Sequence, residues 1–250
     1  MISLLGLRGQ KTVSIVEEAV SSQFRTVGEV DELSFWRDTC NSERFVNSFC
    51  KETPNPEFNI DVAIFLKSLA SEVNKNGEVL SILDVGSGPV SMLSRSFVDQ
   101  QVQLVAVDPL ADKYYNLWDN PYKHEVVLPI ACDGEKLTEK FGKERFDVIH
   151  IRNALDHVIH PIAVIEEMIK TTKHGGHIVI HGFENEADRM RWTGFHQWNL
   201  KVEKDDLIVD GKRGAHYSMR DQFKNSLRVV RSWRTTLANY PWFGVIAQVL

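Results

Sequence analysis

The pattern of apolar and polar positions changes character near residue 80. Before that point apolar residues recur at a helical period. Leu33, Phe35, Trp36, Cys40, Phe45, Val46 and Phe49 predict a helix over about 32–51, capped by Asp31. Pro54 and Pro56 then break the chain. Phe58, Val62, Phe65, Leu66 and Leu69 predict a second helix over about 57–74, with Gly77 just past its end. Residues 1–30 show no clear pattern.

From Val79 onward short apolar runs alternate with helical stretches. Strands are predicted at 79–85, 102–107, 126–131, 146–151 and 176–182, and helices at about 91–99, 110–117, 134–141 and 161–171. Strands that alternate with helices predict an α/β chain with a doubly wound, mostly parallel sheet and helices on both faces. In such sheets ligands sit beyond the carboxyl ends of the strands. After Glu184 the alternation stops. A polar and aromatic segment from Arg189 to Leu200 leads into a hairpin that sets Leu200-Lys201-Val202 against Leu207-Ile208-Val209, so residues 184–215 are expected to form an insertion after the fifth strand. Two last strands, 227–233 and 244–250, are joined by a loop containing Asn239-Tyr240-Pro241 and predict an antiparallel edge strand. The expected organisation is an N-terminal helical segment, 1–78, packed on a domain spanning 79–250.

Composition narrows the class. The chain has 250 residues, 43% hydrophobic and 25% charged, which suits one α/β domain with extra elements. The formal net charge is −5, and the basic residues are scattered, which disfavours a nucleic-acid footprint. Cys40, Cys50 and Cys132 form no CxxC pair, so neither a disulfide framework nor a zinc cluster is expected. No apolar run approaches the roughly 18 residues of a membrane span. The first residues lack a leader pattern, so a cytoplasmic location is expected. A homodimer through the N-terminal helices is compatible with the pattern but has no motif behind it.

The strongest local signal is Ile82-Leu83-Asp84-Val85-Gly86-Ser87-Gly88-Pro89, an apolar strand entering a tight glycine turn. Gly86 and Gly88 lack the Cβ atoms that would keep a ligand off the backbone. The next strand ends in Asp108, where a carboxylate is placed to accept the ribose hydroxyls of an adenosine-containing ligand. In these residues the chain resembles the class I S-adenosylmethionine-dependent methyltransferases, which have a Rossmann-like fold. Their acid before the glycine turn and their acid closing the next strand match Asp84, Gly86, Gly88 and Asp108.

The resemblance extends over roughly residues 80–182. It implies that Asp133 in Ala131-Cys132-Asp133-Gly134 holds the adenine amino group, with Cys132 or Gly134 close to the ring. It also implies that Arg152 and Asn153, after the fourth strand, line the methionine end of the cofactor. Ser87 and Pro109 complete the implied S-adenosylmethionine site. The third glycine position is Val90, and the last glycine of a dinucleotide-binding turn would fall at Ser91. That departure weakens a nicotinamide-dependent oxidoreductase more than a methyltransferase. A binding module that keeps the pocket without catalysis is the other alternative.

Methyl transfer needs the acceptor held in line, and a hydroxyl acceptor must also lose its proton. Asn153, Asp156, His157, His181, Gly182 and Glu184 stand at the ends of the fourth and fifth strands, and His157, His181 and His196 are the candidate catalytic residues. Each histidine also has a plain structural reading: His157 ordering its loop, His196 closing a small aromatic core. Trp192, Phe195 and Trp198 are expected to stack on the acceptor, with His196 or Gln197 on its polar groups, so a sugar, a glycan or another small hydroxylated molecule is the expected acceptor. No metal is expected. His177 and His181 would lie about 13 Å apart on a strand at roughly 3.3 Å per residue. Asp119-Asn120-Pro121-Tyr122 precedes the third strand, not the fourth-strand loop where a base-amine methylation motif belongs, and is read as a turn.

Overall fold

The computed structural model describes residues 28–47, 60–94, 96–97, 100–117 and 125–250. Residues 1–27, the Pro54–Pro56 break, Cys50 and the segment 119–122 lie outside them. The strands are β1 (Leu80–Val85), β2 (Val102–Asp108), β3 (Ile130–Ala131), β4 (Phe146–Arg152), β5 (Thr172–Phe183), β6 (Trp198–Glu203), β7 (Asp206–Gly211), β8 (His216–Ser218), β9 (Leu227–Leu237) and β10 (Tyr240–Val249). A seven-stranded sheet has the order β3-β2-β1-β4-β5-β10-β9, and β6-β7-β8 form a second, three-stranded sheet. Strands β1 to β5 pair in parallel, whereas β10 runs antiparallel to both β5 and β9. This is the expected Rossmann-like architecture.

The helices are α1 (28–40), α2 (Glu43–Phe45), α3 (Ile60–Lys75), α4 (Ala111–Tyr114), α5 (Leu137–Phe141), α6 (Pro161–Thr171), α7 (Glu186–Arg189) and α8 (Met219–Phe223). Every residue of β1 is buried, because this central strand has helices on both faces. On one face Val62, Ala63, Leu66 and Ala70 of α3 pack against Leu80, Ile82, Val148, Val179 and Ile246. On the other, Val164, Ile165 and Met168 of α6 meet Leu83, Ile149, Ile178 and the apolar side of the insertion. Pro161 opens α6, where its missing N–H is no loss.

Several local expectations change. The predicted 32–51 helix is already helical at residue 28, so Asp31 is not its cap. It stops at Cys40, and Ser42 starts a separate turn by accepting a hydrogen bond from the Phe45 N–H at 3.2 Å. The described residues of 91–99 form turns instead of a helix. Ser91 Oγ donates to Asp84 and accepts from the Leu93 N–H at 3.2 Å, and Ser94 and Ser96 close i+3 turns, so local hydrogen bonds win over the helical ladder. The third strand shrinks to two residues, since Ser91 and Ser94 capture Val127.

The antiparallel strand β10 lies inside the sheet, and β9 forms the edge. Their turn is Ala238-Asn239, both left-handed at φ +50° and +69°, so Tyr240 and Pro241 belong to the strand. The insertion hairpin pairs Leu200 with Val209 and Val202 with Leu207 across a Lys204-Asp205 turn, but it continues beyond residue 215 through β8 and α8. Cys40 is buried and Cys132 is half-buried. Among the described residues no helix is long and apolar enough to cross a membrane.

Candidate active site

The carboxyl ends of β1, β2 and β4 open onto a cavity of about 1000 Å³, roofed by α1 and the segment after α7. The turn leaving β1 is bound to the sheet, with the Gly86 and Ser87 N–H groups donating to the carbonyl of Val107. Gly86 and Gly88 take left-handed φ values of +64° and +66°. A Cβ on Gly86 would strike Ala154, and one on Gly88 would lie 2.8 Å from Cζ2 of Trp36. Trp36 is fixed in turn by donating its Nε1–H to Glu32 at 2.6 Å and by edge contacts with Phe45 and Tyr114.

Asp108 is buried at the end of β2. Its Oδ2 accepts the Gly88 N–H at 3.0 Å and its Oδ1 the Leu110 N–H at 2.9 Å, so one carboxylate braces the glycine turn and the start of α4. Burial pushes its pKa up to about 7 despite these two donors; Glu32 adds to the rise and His157 opposes it. Asp84 is engaged inward: Ser91 Oγ donates to Oδ2 at 2.6 Å, and His150 Nδ1 lies 2.7 Å from Oδ1. His150 Nε2 is 2.7 Å from His181 Nε2.

All the residues expected to hold the cofactor line this cavity: Asp84, Gly86, Ser87, Gly88, Asp108, Pro109, Cys132, Asp133, Gly134, Arg152 and Asn153. Asn153 sits in the left-handed region at φ +48°, and its Oδ1 accepts the Phe183 N–H at 3.0 Å, tying the β4 loop to β5. The Arg152 guanidinium lies 5.1 Å from the centre of the Trp242 ring.

The three candidate histidines separate. His157 and His196 line the cavity, but His181 does not. It is buried behind His150 against Trp242, and burial, followed by the charges of His150 and Arg152, holds its pKa well below the ordinary value. Its alternation along β5 turns it into the sheet core. His150 contributes to the wall instead and was not anticipated; a polar residue set between Ile149 and Ile151 in a buried strand was the available signal.

His196, from the insertion, meets Asp156 and His157 from the loop after β4. His196 Nδ1 is 2.8 Å from Asp156 Oδ2 and 3.1 Å from His157 Nε2. His157 Nε2 is 3.4 Å from the same carboxylate oxygen, and its Nδ1 is 3.9 Å from Glu32 Oε2. Burial raises the Asp156 pKa, but His157 and His196 outweigh this and hold it below the usual range. For His196 burial acts downward, but the Asp156 hydrogen bond and the charges of Asp156, Glu186 and Glu32 leave the pKa raised.

Of the expected stacking residues, Phe195 lines the cavity and touches Gly28 of α1. Trp192 and Trp198 stand outside it. Trp192 donates to Asp188 at 2.9 Å, and Trp198 donates to the Val158 carbonyl at 3.0 Å while packing on the insertion core. Gln197 is turned back on the Gly194 carbonyl at 3.1 Å, and Glu184 binds Arg234. The apolar wall comes instead from Phe35, Ile159, Met190, Phe195 and Leu237.

Residues 59–224 match the sequence family described as a methyltransferase domain. The chain belongs to this methyltransferase family. The chain is also similar to the ubiquinone biosynthesis O-methyltransferase of Rhodopseudomonas palustris (strain BisB18), at 25% identity over 141 residues, which cover 51% of this chain and 54% of that protein. The chain thus spans about half the length of the curated relative it matches. Among solved structures, the N-methyltransferase NodS from Bradyrhizobium japonicum WM9 in complex with S-adenosyl-L-homocysteine matches with a TM-score of 0.51 and 13% identity, over 87% of this chain and 98% of that one. The 1,6-didemethyltoxoflavin-N1-methyltransferase of Burkholderia thailandensis matches with a TM-score of 0.45 and 16% identity, over 96% of this chain and 89% of that one.

The nicotinamide reading falls with the family assignment, and S-adenosylmethionine is the cofactor that the sequence resemblance implies. The residues present fit the cofactor. The glycine turn leaves backbone bare where Cβ atoms have no room, a buried carboxylate closes β2, and the cavity volume of about 1000 Å³ reaches the top of the usual ligand-pocket range of roughly 300–1,000 Å³.

Proposed function

We propose that this methyltransferase transfers a methyl group to a hydroxyl of a small acceptor, with sugar and glycan hydroxyls the leading candidates. The observation that carries the reading is the Asp156–His196–His157 cluster, whose two imidazoles line the same cavity as the glycine turn and Asp108 while Asp156 is buried behind them. A relative named as an O-methyltransferase supports a hydroxyl acceptor.

S-adenosylmethionine, when bound, supplies a methyl group on a sulfonium. In this reading the backbone of Gly86, Ser87 and Gly88 lies along the cofactor, Asp108 accepts the ribose hydroxyls, and Asp133 takes the adenine amino group beside Cys132 and Gly134. Pro109 borders the ribose, while Arg152 and Asn153 hold the methionine end. Asp156 orients His196, and His196 or His157 takes the acceptor's proton. Helix α1 and the segment around Phe195 exclude water and present Phe195 as the one aromatic face of the expected trio, so α1, within the helical segment 1–78, serves as a wall of the 79–250 domain. His181 acts only through His150 and Asp84.

The test is calorimetric titration of S-adenosylhomocysteine into wild type and Asp108→Ala, followed by an acceptor panel of sugars, phenols and amines read by mass spectrometry. Binding should weaken by more than about tenfold in the variant, or about 1.4 kcal/mol, and methylation should appear on hydroxyl oxygen. Methylation confined to amines would overturn the acceptor class.

A further inference from the structure

We propose that Asp156, His157 and His196 bind a divalent first-row metal ion that holds the acceptor hydroxyl. The inference rests on the reading of this cavity as the methyl-transfer site. Asp156 Oδ2, His157 Nε2 and His196 Nδ1 form a triangle with edges of 2.8, 3.1 and 3.4 Å. With metal–ligand bonds of about 2.1 Å, an ion touching all three would sit roughly 1 Å out of their plane, and the edges match the spacing of neighbouring ligands around one ion.

Two imidazoles and one carboxylate on a single ion are a recognised donor set for first-row metals. Orienting one basic histidine needs one carboxylate and one ring. Here a second ring nitrogen points at the same carboxylate oxygen and lies within 3.1 Å of the first, an arrangement that a shared cation satisfies. The surroundings fit as well. The far nitrogen of His157 lies 3.9 Å from Glu32, beyond hydrogen-bond distance but with a carboxylate on the side where the outer nitrogen of a ligating histidine donates. Glu186 lies close enough to act on His196. Both imidazoles line the cavity, so three protein ligands would leave the remaining positions to water or the acceptor.

The site has no short spacing motif, because two donors follow β4 and the third comes from the insertion. The expectation of no metal weighed only histidines near one another in sequence. Coordination of an acceptor hydroxyl would lower its pKa; the proton passes to solvent, and the oxygen keeps the electron pair that forms the new bond to the methyl carbon as the carbon–sulfur bond breaks and its pair stays on the sulfur of the departing S-adenosylhomocysteine. With the ion in place, His157 and His196 act as ligands, so coordination replaces the proton-accepting role that the metal-free reading gives them, while the hydroxyl acceptor and the cofactor site stay the same.

Protein stripped with chelator is titrated with Zn²⁺ by calorimetry and with Co²⁺ by visible absorption, alongside a titration with S-adenosylhomocysteine. The same titrations are run on His196→Ala and on the near-isosteric Asp156→Asn. One equivalent should bind wild type, and each variant should weaken it more than about tenfold while keeping its circular-dichroism spectrum. No stoichiometric Zn²⁺ binding with S-adenosylhomocysteine binding intact would overturn the metal site and leave the functional reading standing. Equal Zn²⁺ binding by wild type and both variants would also overturn it. Failure of folded wild type to bind S-adenosylhomocysteine would overturn both.

Discussion

Between about pH 8 and about pH 6, affinity for S-adenosylhomocysteine should fall about tenfold, because the ligand's ribose hydroxyls are proposed to donate to the Asp108 carboxylate. Burial holds that carboxyl at a pKa of about 7 in the free protein. About nine-tenths is then ionised at the upper pH and about one-tenth at the lower, a ratio worth about 1.4 kcal/mol. The sign follows from the direction of the shift. The ligand selects the ionised form, so binding below the pKa must release a proton, and affinity rises with pH. Calorimetry at several pH values, in buffers of different ionisation enthalpy, reads both the affinity and the released proton. Asp108→Asn, which keeps the shape and removes the titration, should bind more weakly than wild type at about pH 8 and lose the slope. A flat wild-type profile, or an equal slope in Asp108→Asn, would refute the reasoning.

The same shift has a consequence for folding. An acid whose folded pKa is raised binds more protons when folded, so stability falls as pH rises from about 4 to about 7. Asp108→Asn without ligand should therefore gain on wild type in melting temperature as pH rises from about 4 to about 8, on top of a constant loss because its amide nitrogen cannot accept one of the two backbone N–H groups, as scanning calorimetry would show. Gly88→Ala should cost about 1–2 kcal/mol of stability, since its Cβ would lie 2.8 Å from Trp36 on a left-handed backbone. Trp36→Ala in the same chain should recover only the part due to the clash, measured by urea denaturation. Asp156→Asn should lower kcat by at least about tenfold with little change in S-adenosylhomocysteine affinity. His181→Ala should lower the melting temperature, because it leaves a cavity beside Trp242 and strips His150 of a partner. An unchanged melting temperature would contradict its placement in the core.

Much of the fold was legible because its signals are local. β1 is a mostly apolar run broken only at Ser81 and Asp84, α3 and α6 repeat apolar residues at a helical period, and the Gly86-Ser87-Gly88 turn follows Asp84-Val85 at the end of that strand. Each of these is a short-range consequence of residue type and spacing. Element edges were less legible where side chains compete with the backbone. Ser91 and Ser94 replace the expected helix with turns and shorten β3, and Ala238-Asn239 make a tight turn that draws Tyr240 and Pro241 into β10.

By itself the sequence determined a doubly wound sheet, a glycine turn with carboxylates at the ends of β1 and β2, and the set of residues around one cavity. Only the tertiary structure decided which histidines meet. His157 follows β4 and His181 lies near the end of the adjacent strand β5, so both stand at the carboxyl end of the sheet in the sequence. The pleat of β5 buries His181 behind His150, however, while the insertion carries His196 back across 40 residues to Asp156. The aromatic wall was decided in the same way: Trp192, Phe195 and Trp198 share one short segment, yet only Phe195 faces the cavity. Residue type sets what a side chain does once placed, but long-range packing of separate segments sets which side chains share a site, and no local pattern encodes that contact.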